Sequence, residues 1–65
     1  MKILVNGNWR EVAAHNLQDV LRELGYADSM IATAVNSNFV PHTARAQSQL
    51  REGDKLEIVT PMQGG

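Results

Sequence analysis

The sequence predicts an α+β domain with one helix lying across one face of a mixed sheet. Three observations predict it. Residues alternate with period 2 at both ends, Met1 to Val5 and Lys55 to Val59; a single run, Leu17 to Leu24, has helical spacing; and Asn/Gly/Ser or Gly/Asp segments separate the strand-like runs. With 65 residues and no cysteine, the chain is one small domain near the lower size limit at which a single core folds without disulfides or metal. No repeat or linker divides it, and strand order is left open by the pattern.

Met1, Ile3 and Val5 share one face of the first strand. Asn6-Gly7-Asn8 follows and supplies the positive φ of a tight turn, so that Trp9 to Val12 completes a β-hairpin. Leu4 points opposite to Ile3 and Val5, so it is either covered by another element or presented as a contact point. Trp9 is expected to be partly buried structural mass, in line with the high mean burial of tryptophan. Asn16 is placed as an N-cap, with Asp19 three positions on to complement the exposed amides and the helix dipole. Leu17, Val20, Leu21 and Leu24 then fall on one helical face, and Gly25 stops the helix in a left-handed cap. Asp19 and Glu23 lie away from the leucines and read as a solvated face.

Ile31 to Val35 and Phe39-Val40-Pro41 read as two short strands joined by a tight turn at Asn36-Ser37-Asn38. With Ser in the middle, a relaxed, longer loop is the alternative to a tight turn. Thr43 to Leu50 is mostly polar and reads as a short helical turn or irregular loop. Glu52-Gly53-Asp54 is a turn signal. In the last strand Leu56 and Ile58 share one face and Val59 lies on the other. Pro61 ends it, because proline has no N–H for a ladder and biases Thr60 towards extended backbone. The expected division is therefore a folded domain over 1–60 and an extended, flexible tail over 61–65.

The formal charge of −1 comes from six basic and seven acidic residues scattered along the chain. Nucleic acid is not the expected partner, since phosphate binding needs a concentrated basic surface. Apolar runs reach only about three residues against the ~20 of a membrane helix, and no secretory signal follows Met1. A protein that is soluble, cytoplasmic, and a monomer when free is expected. His15 and His42 lie far apart with no cysteine near, so no metal site is expected. No serine sits in a nucleophile motif. A chain without catalytic residues of its own, binding no cofactor, is the reading.

Chemistry instead concentrates at Gly64-Gly65. Two residues without Cβ make a tail thin enough for a narrow channel, and a free carboxylate there is a chemical handle. From Thr60 to Gly65 an extended chain reaches roughly 20 Å at about 3.3–3.6 Å per residue. Met62, Gln63 and Gly64 would be threaded into a partner's site, and Leu4, Phe39 and Val59 are the candidate partner surface.

These residues resemble the ThiS family of sulfur carriers in thiamin biosynthesis, which are ubiquitin-like β-grasp proteins. The resemblance covers the whole chain: Met1 to Gly7, Leu17 to Leu24, Ala34-Val35-Asn36 before Phe39-Val40-Pro41, and the most specific block, Glu52-Gly53-Asp54-Lys55-Leu56-Glu57-Ile58-Val59 leading to Gly64-Gly65. Ser37 stands where the family often has glycine. The resemblance implies that a ThiF-like adenylating enzyme uses ATP and Mg²⁺ to convert the Gly65 carboxylate to an acyl adenylate. A persulfide sulfur donor then leads to a thiocarboxylate on Gly65, and a ThiG-like thiazole synthase takes the sulfur. The alternatives are a MoaD-like sulfur carrier for molybdopterin synthesis, a ubiquitin-like protein modifier forming isopeptide bonds, and an interaction module with an inert tail.

Overall fold

Alternating apolar residues at both ends of the chain bury one face of a five-stranded sheet, and the helical leucine face closes over it. The computed structural model describes residues 1–27 and 30–61. Its elements are β1 (Lys2–Val5), β2 (Asn8–Glu11), α1 (Leu17–Glu23), β3 (Ala32–Val35), β4 (Asn38–Val40), a 3₁₀ turn (His42–Gln47) and β5 (Lys55–Val59). The sheet order is β2-β1-β5-β3-β4, with β5 parallel to β1 and antiparallel to β3. This mixed sheet with one helix packed on it is the β-grasp arrangement expected from the resemblance.

Ile3, Val5, Leu56 and Ile58 from the two central parallel strands meet Leu17, Val20 and Leu21 of α1, with Val12 and Leu50 completing the core. Fully burying one such side chain contributes about 1.5–3 kcal/mol. Only seven residues long, α1 depends on that packing, since helices this short are marginal in water. Its ends match their sequence signals. Asn16 Oδ1 accepts the Asp19 N–H at 2.9 Å, and Asn16 Nδ2 donates to Asp19 Oδ2 at 2.9 Å. Gly25 has φ +94°, its N–H donates to Arg22 O, and Tyr26 N–H reaches back to Leu21 O, the paired bonds of a Schellman stop.

One expectation, for Trp9, is corrected; the tight turn between β3 and β4 forms as expected, and Glu23 and Arg45 make contacts that local pattern does not show. The turn at Ser37 is not relaxed: Asn36 and Ser37 both take positive φ, 50° and 70°, and β3 and β4 pair through Val35–Asn38, a two-residue turn. Cross-strand pairing and the Asn36 side-chain bonds to Lys55 N–H and Asp54 Oδ1 hold Ser37 in a region that glycine would occupy with less strain. Trp9 is not core mass but 58% exposed, because β2 is an edge strand and Trp9 pairs with Leu4 on the face that α1 leaves uncovered. Glu23 is exposed as expected of a solvated face, yet it has a structural role: its carboxylate accepts the N–H groups of Ala13 and Ala14 at 3.0–3.1 Å, holding the loop that enters the helix. Arg45 is a buried cation, 8% exposed. It donates from Nε to Thr33 Oγ1 and from Nη2 to Ile31 O, which satisfies a buried guanidinium without a carboxylate.

The Ser37 turn and the Glu23 contacts each predict a measurable outcome. Ser37→Gly removes a left-handed Cβ, partly offset by glycine's greater unfolded-state entropy, and should raise stability by about 0.5–1 kcal/mol, a few degrees in a thermal melt. The bonds from Ala13 and then Ala14 hold the Glu23 carboxyl below its ordinary value of 4.5. Stability from this group is therefore present above 4.5 and lost as pH falls through the lower folded value. Glu23→Gln should melt below wild type at pH 7, with the gap closing on acidification, as followed by circular dichroism.

Candidate functional site

The candidate site is the sheet face opposite α1 together with the root of the tail. Cross-strand partners share a face, so register assigns the outer residues. Leu4 pairs with Trp9 on one side and Lys55 on the other; Ala34 lies between Phe39 and Glu57; Ala32 pairs with Val59. Leu4, Phe39 and Val59, singled out from sequence, therefore all lie on this one face. They do not form one continuous apolar surface. Leu4 and Trp9 stand on the β1–β2 side, Phe39 on the opposite edge strand, with Lys55 and Glu57 of β5 between them.

Exposure differs among the three. Leu4 is half-buried, whereas Phe39 and Val59 are 69% and 64% exposed. Exposed side chains of this size in so small a domain make sense as contact residues, and isolated ones need no such explanation. Val59 is not isolated. With Met30, Ile31, Ala32 and Pro61 it lines an open apolar cleft at the last described residues of β5. A second shallow depression lies around Leu4, Asn6, Gly7, Ser37, Lys55, Leu56 and Glu57. The positions assigned to the threaded tail, Met62, Gln63 and Gly64, and the reacting Gly65, lie outside the described residues.

Sequence reasoning missed three members of this region. Trp9 was assigned inward because tryptophan is usually buried, yet the alternation through β2 and its pairing to Leu4 place it outward. Pro61 follows Val59 closely in the chain, but Met30 joins them only because β3 and β5 are neighbours, a pairing invisible to local pattern. His15 and His42 contribute nothing to this face: the His15 carbonyl accepts the Leu50 N–H, and His42 opens the 3₁₀ turn. Among the described residues no group of three or more histidines and carboxylates converges as a metal site, and none of their helices is long and apolar enough to cross a membrane.

Arranged this way, the face presents apolar side chains on either side of Lys55 and Glu57, a surface suited to binding. Known proteins share both the sequence and the shape. Residues 3–65 match the ThiS family. The chain is 32% identical over 63 residues to the sulfur carrier protein ThiS of Thermus thermophilus, covering 97% of this chain and 98% of that protein. It is also 38% identical over 66 residues to a thiazole synthase of Paramagnetospirillum magneticum, matching this entire chain but spanning only 20% of that protein's length. Among solved structures, the crystal structure of the thiamine biosynthesis protein ThiS from Geobacter metallireducens superposes with TM-score 0.84 at 25% identity, each chain covered in full. The solution structure of a thiamine biosynthesis protein from the same organism superposes at 0.80, again at 25% identity, covering 100% of this chain and 88% of that one. With the family matched over almost its whole length and the β-grasp sheet matched in three dimensions, this chain belongs to the ThiS family.

Proposed function

We propose that this protein carries sulfur for thiamin thiazole formation as a thiocarboxylate on Gly65. The observation that carries the reading is the position of β5: the central strand of the sheet runs directly into Pro61, beside an exposed apolar cleft, with Met62-Gln63-Gly64-Gly65 next in sequence. A folded domain over 1–60 with an extended tail over 61–65 would place the handle up to roughly 20 Å from the domain. The near full-length likeness to a sulfur carrier supports the role. A thiazole synthase with a stretch similar to this whole chain supports the acceptor.

The chemistry balances through the partners. A carboxylate is a poor acyl donor because its charge is shared by two oxygens. An adenylating enzyme of the ThiF kind, using its own ATP and Mg²⁺, joins the Gly65 carboxylate to AMP and releases pyrophosphate. The terminal sulfur of a persulfide attacks the carbonyl carbon and displaces AMP, forming an acyl disulfide. Two equivalents of a thiol reductant cleave the S–S bond and leave as their disulfide, with the thiocarboxylate remaining on Gly65 and the donor returned as a thiol. The thiazole synthase then takes that sulfur. With no cysteine in the chain, the cargo cannot be trapped in an internal disulfide.

This chain contributes binding and reach. Leu4, Phe39 and Val59 hold the partner while Met62, Gln63 and Gly64 enter its site, so that docking energy becomes proximity at the reacting carbon. A lack of side chains at positions 64 and 65 keeps the entering segment narrow.

Intact mass after incubation with ATP, the adenylating enzyme and a persulfide donor tests the reading. The expected shift is replacement of one oxygen by sulfur, absent when Gly65 is deleted. Higher-mass conjugates would instead identify a protein modifier, and an unchanged mass with a demonstrably active enzyme would leave an inert tail. Growth rescue of thiamin against molybdenum-cofactor auxotrophs separates the two acceptors. Phe39→Ala and Val59→Ala, made singly, should alter stability by no more than about 0.5 kcal/mol. Each should raise KM for the carrier in adenylation about tenfold with kcat retained; unchanged KM in both would remove these residues from the interface.

A further inference from the structure

Backbone pairing between β1 and β5 stops at Val5 and Leu56, where the chain leaves through the Asn6-Gly7 turn towards β2. β5 continues to Val59. On the β1 side its next pair of backbone groups belongs to Ile58, opposite the turn. The Asn6 side chain takes both: Oδ1 accepts the Ile58 N–H at 2.8 Å, and Nδ2 donates to Ile58 O at 3.0 Å. The Asn6 backbone N–H donates to Leu56 O at 3.0 Å, so one residue continues the ladder by main chain and then by side chain.

A carboxamide carries the same donor and acceptor as a peptide group, which is why asparagine can stand in for a missing strand residue. Aspartate would keep the acceptor and lose the donor, and alanine would lose both. Asparagine also tolerates the left-handed backbone the turn requires, with φ 48° at Asn6. On the far side of β5, Ala32 pairs with Val59. Ile58 and Val59 are thus held from opposite sides, three and two positions before Pro61.

We propose that Asn6 is a positioning residue for the tail: its two-bond clamp on Ile58 sets the point and direction from which Thr60 and Pro61 lead towards Gly65. The proposal rests on the carrier reading and deepens it. Asn6 is exposed, so water replaces the clamp at small cost to the fold. The effect on the tail is larger. Release of Ile58 leaves the end of β5 held through β3 alone, at Thr33 and Ala32, which widens the range of directions from which Thr60 and Pro61 set out and lowers the fraction of chains aimed into a partner's site.

The test measures adenylation by the ThiF-like enzyme with the carrier as varied substrate, alongside amide hydrogen exchange of the carrier alone. Three variants are compared: Asn6→Ala, Asn6→Asp, and Ile3→Val, which loosens the core elsewhere with the clamp intact. The expected result is faster exchange at Ile58 in Asn6→Ala, a kcat lower by about tenfold and KM within about threefold of wild type, since misplacement of a reacting atom lowers turnover more than docking. Asn6→Asp should fall between, and Ile3→Val should retain kcat. Wild-type kcat in Asn6→Ala, or an equal loss in Ile3→Val, would overturn the positioning role while leaving the carrier reading intact. No adenylation of wild type by an enzyme active on another carrier would overturn the carrier reading itself, and the role with it.

Discussion

β5 is the strand on which the molecule depends. Two hairpins, β1–β2 and β3–β4, enter the sheet from different parts of the chain and are joined in it only through β5, parallel on one side and antiparallel on the other. Leu56 and Ile58 fill the core beneath it, and both hairpin turns lean on it with side chains: Asn6 at Ile58 and Asn36 at Lys55. The residues at these two turns have positive φ, a conformation that frees a short carboxamide to reach across to a neighbouring strand. Each turn therefore both reverses its own hairpin and fastens the strand that unites them.

That placement links architecture to delivery. A segment leaving an edge strand would move with the edge, whereas one leaving the central strand starts from a backbone bonded on both sides. The inner face of β5 is occupied by stability and its outer face is open to a partner, because residues alternate along a strand. The exposed Val59 and the core-packed Ile58 thus occupy neighbouring positions without competing. The buried polar pair Thr33 and Arg45 gives the same economy on the β3 side, where Thr33 Oγ1 accepts from Arg45 and donates to Val40 O, fastening the 3₁₀ turn beneath β3 and β4.

Much of this was legible from local pattern. Leu17, Val20 and Leu21 are buried as their spacing requires, Asn16 caps the helix they build, and Gly25 and Gly53 take the left-handed backbone their positions implied. The outer placement of Phe39 and Val59 also follows from alternation. Other residues were less legible, for identifiable reasons. Tryptophan's usual burial pointed Trp9 inward although its strand lies at an edge with no layer above it. At Ser37 the preference for glycine at positive φ left a relaxed loop as the alternative, and pairing on both sides holds the expected tight turn. What Arg45 and Glu23 hold was not legible locally, because only their distant partners, Thr33 and Ile31 in one case and Ala13 and Ala14 in the other, reveal it.

By itself the sequence determined the elements, their buried faces and the slender Gly64-Gly65 segment, since each depends on residues a few positions apart. Tertiary structure alone decided the strand order, the gathering of Met30, Val59 and Pro61 around the root of the tail, and the Asn6 clamp. The reason is physical: a periodic pattern states which face a strand buries, but its edges carry the same backbone donors and acceptors whatever the side chains. Which strand meets which edge is settled only when the whole core packs.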